Sequence, residues 1–169
     1  MYVALGQSEK RTRPLEERFS KFIVERRRRY EIVMIDCHPA GSILTKTSLQ
    51  NSDHVVIPVA PDLYAVRGVG LMMRFIAANR PDHNAPRPHI LFNNTQRRGV
   101  APVEAQIRRD PSFAPFCLRS TLKHYQAFAD PIGGKDFVWY SKKPWSTRAF
   151  ASAHAVANEL AERIDVSDS

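Results

Sequence analysis

Residues 30–74, YEIVMIDCHPAGSILTKTSLQNSDHVVIPVAPDLYAVRGVGLMMR, constrain the fold more than any other stretch of the chain. Two short runs rich in branched apolar residues, Ile32–Ile35 and His54–Val59, lack helical periodicity and predict strands buried on both faces of a sheet. The first run ends at Asp36, and Pro58 and Pro61 close the second. Behind it, Tyr64–Asn79 carries Val66, Val69, Met72, Met73 and Ile76 on one stripe at helical spacing. Gly68 and Gly70 lower the propensity of that helix and are expected to allow close packing at its beginning. A strand, a loop, a second strand and a helix in this order suit a parallel sheet, whose carboxyl edge is where such sheets bind ligands.

The flanking segments extend the alternation. Pro14–Arg28 reads as a helix with Pro14 at its first position, Leu15, Phe19, Phe22 and Ile23 on its apolar face, and Arg26–Arg29 at its basic end. Ser42–Leu49 suits a helical turn or short helix. His89–Asn93 predicts a third strand, Val103–Arg109 a short helix, Phe116–Leu118 a fourth strand and Leu122–Phe128 a further helical segment. Ser146–Ile164 closes the chain as a long helix with Phe150, Ala153, Ala157, Leu160 and Ile164 as its apolar face. The expected fold is α/β, a mostly parallel sheet flanked by helices. One domain over residues 1–164 with a frayed tail at 165–169 is expected. Its functional edge should gather Asp36–Ala40, Pro58–Asp62 and Asn93–Gly99.

Composition narrows the function classes. No apolar run approaches the roughly 18 residues of a membrane span, and no signal-peptide core opens the chain. Cys37 and Cys117 lie far apart, so a disulfide framework is not expected, and a reducing cytoplasm is the expected compartment. Lys and Arg number 25 against 17 Asp and Glu, a formal charge of +8. The basic residues concentrate between Glu9 and Tyr30 and again from Arg97 to Arg148, a balance that favours polyanionic partners or an anionic membrane surface. The competing reading is that of solvated helix faces.

Three of these segments carry a resemblance. YEIVMIDCHPAG resembles the Walker B and switch II region of the ParA/Soj family of partition ATPases, relatives of MinD with a deviant Walker A motif. NSDHVVIPVAPDLYAVRGV is similar to that family's next strand and helix, and ILFNNTQRR to the strand ending in Asn before its adenine-contacting loop. FADPIGGKDFVWYSKKPWSTRAFASAHAVANEL resembles the family's C-terminal turn, aromatic or basic segment and closing helix. The likeness runs from Leu15 to Ile164 and implies a P-loop NTPase-like fold of the SIMIBI/MinD type. The sequence departs from the pattern in one respect: neither GxxxxGK[ST] nor GK[ST] occurs, and Gly133-Gly134-Lys135 is followed by Asp136 and preceded by no strand. The expectation is therefore a ParA-like domain lacking the N-terminal strand and phosphate loop, catalytically incompetent by itself.

The resemblance also implies roles. Asp36 takes the magnesium position, through water, beside a bound ATP; the competing reading is a capping or turn Asp. Asn93, or alternatively Asn94, takes the adenine position, against an Asx turn as the competing reading. His38 replaces the first Pro of the switch II pattern, and Pro39 keeps the second. Cys37 and His38 point to opposite faces of an extended segment, so they do not form a nucleophile pair. Arg97, Arg98, Arg119, Lys123, Lys142, Lys143 and Arg148 are the expected contacts to DNA bound without sequence preference. Trp139, Tyr140 and Trp145 lie among them, suited either to stacking on bases or, more commonly, to core packing. The implied partners are DNA, a ParB-like adaptor protein and, in the intact form, a second copy of the chain, on the nucleoid in the cytoplasm and with no membrane contact. The alternative function is a non-enzymatic DNA-binding or docking regulator of a full-length ParA-like ATPase.

Overall fold

The computed structural model describes residues 9–37, 43–79, 85–96, 98–128, 137–140, 142 and 144–164. The elements in chain order are α1 (Glu9–Arg27), α2 (Ile43–Gln50), β1 (His54–Val59), α3 (Ala65–Asn79), β2 (Arg87–Phe92), α4 (Pro102–Arg109) and α5 (Ser146–Arg163). Single 3-10 turns occupy Ala114–Phe116 and Gln126–Phe128. The chain forms two compact units, residues 1–55 with 74–87, and residues 56–73 with 88–169.

β1 and β2 pair in parallel. The Arg87 N–H donates to the Asp53 carbonyl and the Asn93 N–H to the Val59 carbonyl, each at 2.8 Å, so the register holds from one end of the ladder to the other. α3 is the crossover that a parallel pair requires. Its stripe is realised: Ala65, Val69 and Ile76 are buried, with Val66, Met72 and Met73 partly so. The segment after the first 3-10 turn runs beside β2 as an irregular third line, bridged in parallel at Ile90 with Cys117 and at Thr95 with Lys123. The fold is thus mixed α/β with a parallel sheet flanked by helices, consistent with a P-loop NTPase-like architecture.

The second unit shows how that sheet is covered. Ile90, Leu91 and Phe92 are all buried, the signature of a strand packed on both faces. Leu91 clusters with Leu118 and with Val156 and Leu160 of α5. Phe92, pointing the other way, lies under the Arg108 guanidinium of α4 at 4.6 Å. Arg108 also donates to the Leu118 carbonyl at 2.7 Å and to Glu104 at 2.9 Å. This cation from the basic C-terminal half is consumed by packing. In the first unit, Arg27 at the end of α1 pairs with Asp53 at 2.7 Å and donates to the Asn51 carbonyl at 2.9 Å, while Lys46 of α2 meets Glu16 of α1 at 3.6 Å.

Several expectations need correction. Ile32–Asp36 forms no strand and pairs with none among the described residues, and Ile32 is 51% and Met34 90% exposed. Branched apolar residues make a run extended, but burial needs neighbours on both faces, and the run alone does not supply them. Pro14 lies inside α1, because the helix formers Glu9, Lys10, Arg11 and Arg13 start the helix more than a turn earlier. Leu122–Tyr125 is extended rather than helical, since its backbone bonds to β2 and Thr95 instead: Leu122 N–H to the Phe92 carbonyl at 2.9 Å, and His124 N–H to the Thr95 carbonyl at 2.8 Å. Phe116–Leu118 supplies only a bridge at Cys117, because Phe116 is held in the preceding 3-10 turn. α5 buries Ala149, Val156 and Glu159, a stripe rotated from the one expected, and Phe150 and Ala157 face solvent. Gly68 has open space where a side chain would stand, and Gly70 faces the Phe113 ring at ordinary contact distance.

Candidate functional site

The carboxyl edge of the parallel ladder holds the expected polar residues of the second unit. After β1 the chain turns at once: the Asp62 N–H donates to the Ala60 carbonyl at 2.8 Å, and the Asp62 Oδ1 accepts the Tyr64 N–H at 2.9 Å. Asp62 is therefore an Asx-type turn residue that launches α3. After β2, Asn93 extends the ladder by one residue, and its Oδ1 accepts the Asn94 N–H at 2.7 Å. Asn94 adopts the left-handed conformation at φ 55°, which Asn tolerates better than most residues. Its Oδ1 lies 2.6 Å from Nδ1 of His124. An amide oxygen only accepts, so the contact is a hydrogen bond in the His124 tautomer that carries its proton on Nδ1. His124 itself is held by its N–H bond to Thr95, beside the Thr95–Lys123 bridge. The result is a pair of exposed amides fixed at the sheet edge, with a histidine and a lysine on the next segment.

Asp36 belongs to the first unit. It ends the apolar run Ile32–Ile35 and is exposed. His38, Pro39 and Ala40 lie outside the described residues. Among the described residues no three His, Cys, Asp or Glu side chains come together as a metal-binding group. Magnesium keeps several waters and is commonly held by one or two carboxylates together with nucleotide phosphates. Asp36 alone fits that role only as an outer partner of an ion brought by a nucleotide, and both asparagine Oδ1 atoms are engaged locally. Among the described residues, these side chains do not by themselves fit an ATP–magnesium site.

The basic residues divide by environment. Arg98, Lys142 and Arg148 are exposed and form no ion pair with a described residue. Arg119 is exposed but sits 3.5 Å from Glu162 and 3.6 Å from Glu159. Lys123 is half-buried at its bridge with Thr95, and its N–H lies 3.4 Å from Ser152 Oγ. Arg97 and Lys143 lie outside the described residues. The aromatic residues among them are not core: Trp139 is 56%, Tyr140 70% and Trp145 51% exposed.

Two contributors were missed in the sequence. Glu159 is buried on α5, where its carboxylate accepts the N–H groups of Arg119 and Ser120 and pairs with Arg163 at 3.0 Å. The available signal was its place on the 149–156–159 stripe, with Arg163 one turn later. His124 had no such signal, since its partner Asn94 is distant in sequence and the pairing depends on the register of the third line.

Comparison with known proteins follows the same lines. A family model described as an AAA domain matches residues 3–85. The sporulation initiation inhibitor protein Soj of Bacillus subtilis is 33% identical over 61 residues, 36% of this chain and 24% of Soj. An uncharacterized protein of Mycobacterium tuberculosis, found in two strains, is 26% identical over 139 residues, 80% of this chain. The match spans 42% of the length of that relative. No solved structure matches. Together, the AAA-domain match and the similarity to Soj support a relation to the broad class of ParA-like P-loop NTPases, which use nucleotide and magnesium generally. Among the described residues no helix is long and apolar enough to cross a membrane.

Proposed function

We propose that this chain carries the DNA-facing part of a ParA-like partitioning protein, one that in intact form binds and hydrolyses ATP with magnesium, dimerises, and answers to a ParB-like adaptor on the nucleoid. The observation that carries the DNA reading is the exposure of Arg98, Lys142 and Arg148 without described ion-pair partners, in a chain of net charge +8. Unpaired exposed cations release condensed counterions when they meet phosphates, whatever the base sequence. Asp36 is assigned to the magnesium side of the nucleotide, and Asn93 with Asn94 to the adenine side. The 169-residue polypeptide has no phosphate-cradling motif of the GxxxxGK[ST] type, so in this reading it does not turn over ATP by itself.

A duplex-binding titration over a range of salt tests the reading. It requires binding that weakens steeply with salt and is indifferent to sequence. Salt-insensitive or absent binding overturns it, and magnesium-dependent ATP hydrolysis abolished by Asp36→Ala overturns the catalytic part. A second reading, a non-enzymatic regulator that docks on a full-length ParA-like ATPase, is favoured by the exposed apolar run at Ile32 and Met34.

A further inference from the structure

The aromatic residues between 137 and 150 fall into two exposed groups whose rings charge-based duplex binding does not require. Val138 is buried in a cluster with Tyr125, Ala127 and Ala149. Its neighbours Phe137 and Trp139 both face solvent and stack on each other, with ring centroids 4.7 Å apart and planes 9° from parallel. Tyr140 meets Trp139 edge-on at 6.2 Å, in a turn closed by the Tyr140 N–H donating to the Phe137 carbonyl at 2.8 Å. On α5, Ala149 enters the same buried cluster, and its neighbour Arg148 lies outside. The Arg148 guanidinium stands 4.7 Å over the ring of Trp145, which precedes α5 in the left-handed conformation at φ 70°. One small core thus anchors both the stacked turn and the Trp145–Arg148 pair.

Large rings left in water forgo the burial that makes them valuable in a core. Grouped with cations, they mark an interaction surface. We propose that this surface binds single-stranded nucleic acid, with bases stacking on the Trp139 and Tyr140 rings and phosphates held by Lys142 and Arg148. The proposal shares those two cations with the DNA reading above, and rests on it for them alone. A duplex hides its base faces within its own stack, whereas a single strand offers them to an aromatic platform. An anionic membrane is the rival partner for aromatic and cationic residues together. Against it, the Phe137 and Trp139 rings lie flat on one another, a platform that suits a base face better than insertion between acyl chains.

The chain's two tryptophans, Trp139 and Trp145, both lie on this surface, so intrinsic fluorescence reports on it directly. The full chain is titrated with an oligothymidylate of about 20 nucleotides and with a duplex of equal length, a span that covers one or more single-strand sites. Saturable quenching by the single strand is expected. Trp139→Ala should weaken single-strand binding about tenfold, Trp139→Phe much less, and neither should change duplex binding, as loss of one stacked base implies. The proposal is overturned if Trp139→Ala changes both affinities alike or neither, if the oligonucleotide leaves the fluorescence unchanged, or if only phosphatidylserine vesicles shift it. Duplex binding lost while single-strand quenching persists would sink the charge-based reading and leave the stacking surface standing.

Discussion

The backbone N–H of Ser120 donates to Glu159 Oε2 at 2.7 Å, a contact between residues 39 positions apart in sequence. Arg119 gives its N–H to the other carboxylate oxygen at 2.8 Å. One carboxylate on α5 therefore satisfies two amides of the loop that bulges away from β2 between Leu118 and Leu122. Arg163 completes the arrangement by bridging Glu159 and the Cys117 carbonyl at 3.0 and 2.7 Å. The loop is held from the helix side, without a ladder of its own.

This contact sets an acid limit on stability. Burial by itself pushes the Glu159 carboxyl up, but the N–H groups of Ser120 and Arg119, with side-chain bonds from Ser120 and Arg163, outweigh it and hold it at about 2 instead of 4.5. A carboxyl lowered on folding stabilises the fold fully above its unfolded value near 4.5 and loses that stabilisation as pH falls towards 2, about 3 kcal/mol at full extent. Glu159→Gln should cost about 1–3 kcal/mol near neutrality, because an amide cannot accept both N–H groups and pair with Arg163. Urea denaturation of both proteins across that acid range should show the difference shrinking; a constant difference would contradict the assignment.

Duplex binding should distinguish cations that look alike in sequence. Replacing Arg98, Lys142 or Arg148 by Gln should each lower the slope of log affinity against log salt by about 1. Arg119→Gln should lower it less, since its guanidinium already faces Glu159 and Glu162. Equal effects at all four positions would show that the ion pairs of Arg119 do not hold in solution.

The two glycines of α3 are sites for stabilisation. Nothing stands within 4 Å of a side chain added at Gly68, and one added at Gly70 would meet the Phe113 ring at 3.8 Å, ordinary contact. Each Gly→Ala change should therefore raise stability by about 0.5–1 kcal/mol by restricting the unfolded chain and favouring the helix. A lower urea midpoint for either variant would mean that the packing around α3 is tighter than described.

The two thiols should react very differently. Cys37 is exposed, whereas Cys117 is buried beside β2, with Sγ 3.4 Å from the Phe113 carbonyl. Burial pushes the Cys117 thiol up, and the nearby Arg108 and Arg163 only partly offset it. An aromatic disulfide reagent should label one thiol promptly and the second only on addition of denaturant. Prompt labelling of both would place Cys117 at a surface.

The readable part of this fold was the part governed by local periodicity. β1, α3 and β2 follow directly from Val55–Val59, the Val69–Ile76 stripe and Ile90–Phe92, because each element's own residues decide its period. Asn93 and Asn94 could be placed at a strand end for the same reason. Long-range pairing decided the rest. Leu122–Tyr125 has a helical look in isolation, yet its Leu122 amide bonds to β2 and its His124 amide to Thr95. Glu159 resembles a solvent-facing carboxylate until the loop at Arg119 and Ser120 is set beneath it. The aromatic residues 139, 140 and 145 invite a core role on composition alone; only the burial of Val138 and Ala149 on either side of them shows which side chains the core takes.

The exposed run at Ile32–Met34 has a consequence that concerns populations of molecules more than any single one. A solitary copy loses nothing further by leaving this run in water. Each added copy, however, brings the same apolar side chains and the same backbone groups unpaired among the described residues, and two such runs can satisfy one another. Encounters between copies grow with the square of concentration, so self-association through this run should rise steeply as the polypeptide is concentrated. A charge at the most exposed position, as in Met34→Lys, should raise the concentration at which turbidity begins while leaving the melting temperature where it was.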